Sequence, residues 1–199
     1  MNTLPKTIHL DARTLPYAEA SSFLKTLQQQ EGAAALALQF VILTASRANE
    51  VIAACKSEFD LPAKIWTIPA ERMKAGREHR IPLSPEALAL VKPLIDAGSS
   101  EFLFPASKGN GHLSNMAMRQ LLKRMKREGL TVHGFRSTFK HWARETTDYA
   151  REVLAAALAH IIGDKTAAAY ARGDLFMKRA SLMQDWADYL AGKTPLRRP

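Results

Sequence analysis

The 199-residue sequence predicts an α+β fold that is mostly helical and has one small antiparallel β-sheet. Two observations support this prediction. Apolar residues recur at helical spacing through most of the chain, as they do at Ala20, Phe23, Leu24 and Leu27. Only residues 59–83 contain short runs that are rich in β-branched side chains and end at prolines. We therefore expect a helical domain that is interrupted by a single hairpin.

The N-terminal third should contain three helices. The first is predicted to begin near Pro16 and to close at Glu31-Gly32. Residues 33–44 are almost continuously apolar and rich in helix formers, which indicates a buried helix. A short helix should follow over about residues 47–55. Residues 1–13 are expected to be an N-terminal tether outside the core.

The hairpin and the remaining helices follow in order. Strands are predicted at residues 65–69 and 79–83, with Ala75-Gly76 turning the chain between them. Ser84-Pro85-Glu86 combines an N-cap, a proline at the first helical position and an early acid, so a helix should run to about residue 97. Further helices are predicted at residues 114–127, 135–145, 148–159, 164–172 and 175–190.

Length and composition limit the class of protein. The chain suffices for one domain with a sizeable core, which we place at residues 14–192, with 193–199 as a C-terminal tail. No apolar stretch is long enough to cross a bilayer, and the N-terminus lacks the layout of a secretory signal. Cys55 is the only cysteine, which fits a reducing cytoplasm. We expect no membrane association.

The charge favours a polyanionic partner. The formal net charge is +9 and the pI is near 9.8. Residues 108–144 contain nine Lys or Arg residues and a single acid, Glu128. Basic residues concentrated in one segment are typical of a nucleic-acid surface. On charge alone, a basic protein without such a partner remains the alternative.

Five side chains in three segments suit chemistry on a phosphodiester. They are Arg47, His133, Arg136, His160 and Tyr170, in that order along the chain. A planar guanidinium can bind two phosphate oxygens and neutralise their charge. A tyrosine can then act as the nucleophile and form a covalent intermediate, which divides one difficult step into two easier ones.

Each candidate also has an ordinary structural interpretation when it is taken alone. Arg47 can pair with Glu50, and His160 can complement the dipole of a helix C-terminus. Tyr170 can be a core or rim residue. Lys74, at the predicted hairpin turn, can be a solvated turn residue or can reach DNA and protonate a leaving oxygen. Only the joint order of these residues favours a catalytic site.

Four parts of the sequence resemble the catalytic domain of the tyrosine recombinases, specifically the phage-type integrases of mobile genetic islands. They are residues 44–51, 66–83 and 133–136 and the step of ten residues from His160 to Tyr170. The resemblance covers about residues 15–190 and implies the catalytic-domain fold of the DNA breaking-rejoining enzymes. Two positions depart from the family pattern: Lys56 stands where a core tryptophan is usual, and Gly-Phe follows His133 where Asp-Leu is commoner.

The resemblance implies a role for each candidate at the scissile phosphate. Arg47 and Arg136 would bind its non-bridging oxygens, with Glu50 orienting Arg47. His133 would accept or orient a proton, and His160 would hydrogen-bond the phosphate. Lys74 would protonate the departing 5′ oxygen.

Tyr170 would attack the phosphate and give a 3′-phosphotyrosine, which keeps the energy of the cleaved bond for rejoining. The implied function is site-specific cleavage and rejoining of DNA for integration and excision of a mobile element. The sequence shows neither metal-ligand spacing nor a nucleotide-binding glycine loop, so we expect no metal, no ATP and no other cofactor. Two alternatives stay open: a type IB topoisomerase that relaxes DNA, and a non-catalytic DNA-binding helical module.

The resemblance also implies partners. Double-stranded attachment sites would bind a protein that is mainly monomeric when free and tetrameric on DNA, with accessory DNA-bending or directionality proteins as further candidates. Integrases of this type have N-terminal DNA-clamping domains, so this chain resembles an excised domain or a truncated gene product of a phage or island, at the bacterial nucleoid. The final helix is expected to fold back on its own domain. The expected DNA contacts are Arg72, Arg77, Lys108, Arg119 and Lys123.

Overall fold

The computed structural model describes residues 13–98, 100–108, 110–160 and 174–193. Within these ranges it confirms a mostly helical fold with one small antiparallel sheet. The helices are α1 (Ala20–Gln28), α2 (Ala33–Thr44), α3 (Ala48–Ile52), α4 (Pro85–Asp96), α5 (Ala117–Arg124), α6 (Gly134–Thr146), α7 (Arg151–Ala157) and α8 (Phe176–Leu190). The strands are β1 (Phe59–Asp60), β2 (Ile65–Ile68) and β3 (His79–Pro82).

Helix α2 forms the centre of the core. Its bounds are those that the apolar run predicts, and nine of its twelve residues are buried. Helices α1, α3, α4, α5, α6 and α8 all pack against it. A helix that is apolar on every side is stable only when neighbours surround it, which explains its central position.

The sheet has the strand order β1-β2-β3 and is antiparallel throughout. Strands β2 and β3 are the two predicted strands, and Ile68 pairs with His79 where the hairpin opens. Gly76 has φ +60° in the connecting turn, a conformation that glycine adopts without strain. Strand β1 was not predicted. It holds only two residues, whose pairing depends on Trp66 stacking on Phe59 at 5.5 Å.

Helix α4 begins as its sequence predicts. The Ser84 hydroxyl accepts a hydrogen bond from the backbone N–H of Ala87 at 3.2 Å, and Pro85 occupies the first helical position. Its C-terminal end explains one departure from the family pattern. The Lys56 amine donates to the carbonyls of Ala97 and Gly98, so this residue caps a helix end.

Three predicted helices are too long. Helix α3 covers residues 48–52 instead of 47–55, α5 covers 117–124 instead of 114–127, and α7 covers 151–157 instead of 148–159. Helices α5 and α7 are followed by residues with left-handed backbone, Lys126 (φ 56°) and Ala159 (φ 47°). Single left-handed residues at helix ends satisfy the last carbonyls and stop the helix. The predicted helix at 164–172, the tether up to residue 12 and the tail from 194 lie outside the described residues.

Helix α8 folds back onto the chain's own core, as expected. It buries Leu182, Met183, Trp186 and Leu190 against α1, α2, α6, α7 and β3. The Trp186 indole N–H donates to the carbonyl of Ile42 at 2.8 Å. In the described ranges, no helix is long and apolar enough to cross a membrane.

Candidate active site

The C-terminal turn of α7 is the structural base of the site. Ala159 adopts left-handed backbone with φ 47°, so the His160 N–H bonds the Ala155 carbonyl at 2.9 Å and the Ala159 N–H bonds the Ala156 carbonyl at 3.1 Å. These two bonds form a Schellman motif. They leave the carbonyls of Leu158 and Ala159 available to partners from outside the helix.

Arg136 reaches one of these carbonyls from the first turn of α6. Only 5% of its surface is exposed. One amino group donates to the Ala45 carbonyl and the other to the Leu158 carbonyl at 2.7 Å. Burial lowers the pKa of Arg136 to about 10, with a further lowering by the charge of Arg47. The residue is therefore a buried cation at neutral pH, and both hydrogen-bond partners that the described residues supply to it are neutral.

Arg47 reaches the same helix end from the N-cap of α3. Its guanidinium pairs with Glu50 at 2.7 Å and donates to the Ala159 carbonyl at 3.4 Å. The other Glu50 carboxylate oxygen accepts from the Arg47 backbone N–H at 2.8 Å. The Arg47 side chain is 28% exposed, whereas Glu50 is 5% exposed. The buried carboxylate thus orients a guanidinium that still faces solvent.

His133 and His160 lie on the rim around the two arginines. The pKa of His133 is lowered by desolvation and by the charges of Arg136 and Arg47. The same three causes lower the pKa of His160, and Lys140 adds to them. These shifts favour the neutral imidazole, in which each ring has one donor and one acceptor nitrogen. Two arginines and two histidines from three segments meet at one positively charged surface, which we call the arginine cluster.

Comparison with known proteins identifies the family of this chain. The family model described as "Phage integrase family" matches residues 13–174. The chain belongs to the phage integrase family. It is 39% identical over 152 residues to the prophage integrase IntA of Escherichia coli K12, which covers 74% of this chain and 36% of that protein. It is 29% identical over 197 residues to the integrase of Enterobacteria phage P4, which covers 88% of this chain and 45% of that protein.

A solved structure supports the fold of this family member. The integrase from mycobacterium phage Brujita superposes with a TM-score of 0.64 at 16% identity, over 92% of this chain and 59% of that chain. At this identity the likeness shows the shared fold alone. The chain spans less than half the length of the two curated integrases above.

His79 is a neighbour of the arginine cluster that the sequence did not single out. It begins β3, is partly buried, and its ring hydrogen-bonds the Ala157 carbonyl of α7. Desolvation is the largest cause that lowers its pKa to about 4, and Arg179 and Arg136 lower it further while Glu50 raises it. In the sequence, the only indication that the His79 side chain faces the interior is its position two residues before Ile81, on the same face of the strand.

The hairpin residues lie apart from the arginine cluster. Lys74 and Arg77 are exposed in the turn between β2 and β3, and no hydrogen bond or ion pair joins Lys74 to the cluster in the described part of the chain. Arg72 differs, because its guanidinium pairs with Glu58 and donates to the Glu50 carbonyl at 2.5 Å. Glu58 and the Glu50 carbonyl thus bind the guanidinium that was expected to contact DNA. The DNA contact of Arg72 stays a prediction.

The other candidate residues divide into two groups. Lys108, Arg119 and Lys123 are exposed, the last two on the outer face of α5, where they are free to meet a partner surface. Tyr170 lies between residues 161 and 173, outside the described residues. The flanking residues His160 and Asp174 are both described.

Proposed function

We propose that this chain is the catalytic part of a site-specific DNA recombinase that cleaves and rejoins strands through a covalent bond to Tyr170. The observation that carries the proposal is the meeting of Arg47 and Arg136 at the end of α7, beside two histidines. Membership of the phage integrase family supports the same reaction class.

The two arginines would neutralise the scissile phosphate. Each guanidinium is already fixed by backbone carbonyls or by Glu50, so little reorganisation is needed when the phosphate enters. Their charges would stabilise the extra negative charge of the transition state, the part that a metal ion plays in other phosphoryl-transfer sites. The proposed reaction therefore uses neither a metal nor ATP.

The remaining groups would move the protons. Tyr170 loses its phenolic proton to His133 as its oxygen bonds to phosphorus. The bond from phosphorus to the 5′ oxygen breaks, and Lys74 gives that oxygen a proton. His160 donates a hydrogen bond to a phosphate oxygen. Rejoining reverses these steps with the 5′ hydroxyl of a new strand as the nucleophile.

The biological role proposed for this reaction is integration and excision of a mobile element at double-stranded attachment sites in the bacterial cytoplasm. The names of the relatives, prophage and phage integrases, support it. A tetramer on DNA and accessory DNA-bending or directionality proteins belong to the same proposal.

A nicked suicide substrate tests the chemistry. A duplex pool with a randomised core loses a short fragment when it is cleaved, so the covalent protein–DNA adduct cannot be reversed. We expect an adduct with the unaltered chain and none with Tyr170→Phe. Arg136→Lys should reduce adduct formation by about a hundredfold, because a single nitrogen cannot take the places of the two amino groups that bind the Ala45 and Leu158 carbonyls. Arg124→Lys, the same change on the exposed face of α5, is the matched control.

The rival functions predict other results. A non-catalytic DNA-binding module binds the pool and leaves no adduct. A type IB topoisomerase relaxes supercoiled plasmid of any sequence and shows no selection within the pool. Either outcome overturns the recombinase proposal.

A further inference from the structure

A basic hollow lies beside the arginine cluster. It has a volume of about 200 Å³ and opens between α6 and α7. Its wall contains Lys140 and Arg144 of α6, Arg151 of α7, and His160, and its floor contains Leu154 and Leu158. The two leucines are 7% and 2% exposed, so the floor belongs to the core and holds its shape.

The cations of the basic hollow are not neutralised by the described part of the protein. Among the described residues, Lys140, Arg144 and Arg151 form no ion pair, and two of the acids on neighbouring segments have other partners. Glu145 hydrogen-bonds Tyr17, and Asp185 accepts from the Tyr149 hydroxyl at 2.7 Å.

The sequence positions of these cations are unfavourable for the free protein. Lys140 and Arg144 are four residues apart on one helix, a spacing at which like charges destabilise the helix. A concave surface lined by unpaired cations of one sign is suited to an anionic ligand.

The basic hollow and the arginine cluster share the last turn of α7. Leu158 forms part of the floor of the hollow, and its carbonyl accepts from Arg136. His160 lines the hollow, and the charges of Arg136, Lys140 and Arg47 lower its pKa. Two adjoining anion-attracting surfaces with one histidine between them match a ligand that presents successive negative charges.

We propose that the basic hollow holds a second phosphate of the cleaved DNA strand, next to the scissile phosphate. The proposal rests on the proposed function, because DNA supplies phosphates in fixed succession. Lys140, Arg144 and Arg151 bind the oxygens of the second phosphate, while the apolar floor accepts the carbon edge of the adjoining deoxyribose. Holding this phosphate sets the register of the strand, so that the scissile phosphate enters the arginine cluster in the orientation required for attack.

Neutral phosphates test this assignment. Single methylphosphonates, which remove one negative charge, are placed in turn at each position around the cleavage site. Adduct formation and equilibrium binding are measured for the unaltered chain and for Lys140→Ala/Arg144→Ala. The control is Lys25→Ala/Lys92→Ala, which removes two cations from the exposed faces of α1 and α4 and gives the same change in net charge.

For the unaltered chain and the control, we expect one position adjacent to the scissile phosphate at which neutralisation weakens binding and slows adduct formation by about tenfold or more. For Lys140→Ala/Arg144→Ala this penalty should disappear at that position only. Thermal unfolding verifies that the variant is folded.

Two results overturn the assignment. One is that the double variant keeps the penalty for phosphate neutralisation at every position where the unaltered chain shows it. The other is that the double variant loses affinity uniformly over all positions, by the same amount as the control. Binding is measured separately from cleavage, so the hollow is tested even if no adduct forms. Absence of an adduct with unmodified DNA counts against the proposed function alone.

Discussion

Arg136 shows how a single residue stores positive charge at the site. A buried cation is costly, but the two carbonyls that bind it include one at the negative end of the α7 dipole. Glu50 supports the charge from the side of Arg47. The free-energy cost of burying this charge is therefore met when the protein folds. A phosphate that binds at the site would meet donors that are already aligned.

The two rim histidines provide a direct measure of this potential. His133 and His160 have lowered pKa values because they are desolvated and lie near Arg136 and Arg47. An anion bound between the arginines offsets these charges and favours the protonated imidazole. Inorganic phosphate should therefore raise the pKa of both histidines. NMR titration of the ring signals with and without phosphate tests this.

Arg47→Gln should raise both pKa values without phosphate, since it removes one of the lowering charges. His112, in the loop before α5, serves as the internal reference. Ring signals of His133 and His160 that titrate identically with and without phosphate would contradict an anion site at the arginine cluster.

His79 makes the stability of the fold depend on pH. Its pKa is about 4 in the folded protein against an ordinary 6.5. Above pH 6.5 this histidine is neutral in both the folded and the unfolded chain, so its contribution to the free energy of unfolding is fully present there. As the pH falls from 6.5 towards 4, the unfolded chain takes up the proton first, and stability falls by up to about 3 kcal/mol.

Urea unfolding at several pH values measures this loss. His79→Gln carries no titrating group and should lack this part of the slope between pH 6.5 and 4. His112→Gln is the control and should retain it. Parallel curves for the unaltered chain and His79→Gln would show that burial of His79 has no such effect.

At the scale of elements, α8 is anchored to β3 by an ion cluster around the buried Arg179. Arg179 is 1% exposed and donates to the Arg80 carbonyl at 2.7 Å and to Asp174 at 2.8 Å. Asp174 also pairs with the Arg80 side chain at 2.8 Å. The Phe176 ring lies 4.9 Å from the Arg80 guanidinium and 5.7 Å from that of Arg179. The start of α8, six residues after Tyr170 in sequence, is thereby fixed to the hairpin strand.

Arg179→Met should loosen this anchor without leaving Asp174 unpaired, because Arg80 remains. We expect adduct formation to slow by about tenfold, as misplacement of a reacting group does, while DNA affinity stays unchanged. Hydrogen exchange should become faster in the peptide that begins at Asp174. These effects belong to positioning of Tyr170, not to general stability.

Leu190→Ala is the matched control, since it removes a buried side chain at the other end of α8 and destabilises by about 2–5 kcal/mol. It should leave adduct formation and the exchange of that peptide close to their unaltered values under conditions where the protein stays folded. Equal effects of Arg179→Met and Leu190→Ala would remove the case for a positioning role.

The sequence predicted best the elements whose first and last residues are determined by their immediate neighbours in the chain. Gly32 and the left-handed Ala45 bound the apolar run of α2, and Ser84-Pro85 starts α4. The errors arose where distant partners decide. Strand β1 is only two residues long and is defined by its pairing with Trp66 and Ile65, and α7 ends at the left-handed Ala159, where Arg47 and Arg136 bind its last carbonyls.

The same distinction applies to the site. Arg47, His133, Arg136 and His160 were found from their order, and the structure brings them together. His79 was missed because its importance comes from the Ala157 carbonyl, far along the chain. The engagement of Arg72 by Glu58 and by the Glu50 carbonyl was likewise not visible in sequence. In the sequence, Lys140 and Arg144 were recognised only as basic residues, because the hollow that they line forms where α6 and α7 pack together.

At the scale of the whole molecule, the charge of +9 should dominate DNA affinity. A surface that contacts about six phosphates releases their counterions and loses roughly a thousandfold in affinity between 50 and 200 mM salt. Fluorescence anisotropy with labelled duplex measures this slope. Lys140→Ala/Arg144→Ala should reduce the slope by about one phosphate, and Lys25→Ala/Lys92→Ala should not. Affinity that barely changes with salt would contradict a phosphate-binding surface.

The packing of α8 leads to a prediction about assembly. Leu182, Trp186 and Leu190 are buried in the chain's own core. Among the described residues, the only exposed large hydrophobic side chains are Met116 and Met177, too few for a stable apolar interface. We therefore expect the free protein to be a monomer of 22.0 kDa and to assemble into the proposed tetramer only on DNA.

Sedimentation velocity over a wide range of concentrations measures this directly, with and without duplex that contains two cleavage sites. The free protein should give one species whose sedimentation coefficient does not change with concentration, and the complex should sediment as four chains. Met177→Glu places a charge at the exposed start of α8, where a partner chain would have to approach, and should hinder assembly on DNA while leaving the monomer folded. A free protein that dimerises through α8 would require this helix to leave the core, and concentration-dependent sedimentation without DNA would overturn the buried arrangement as the solution state.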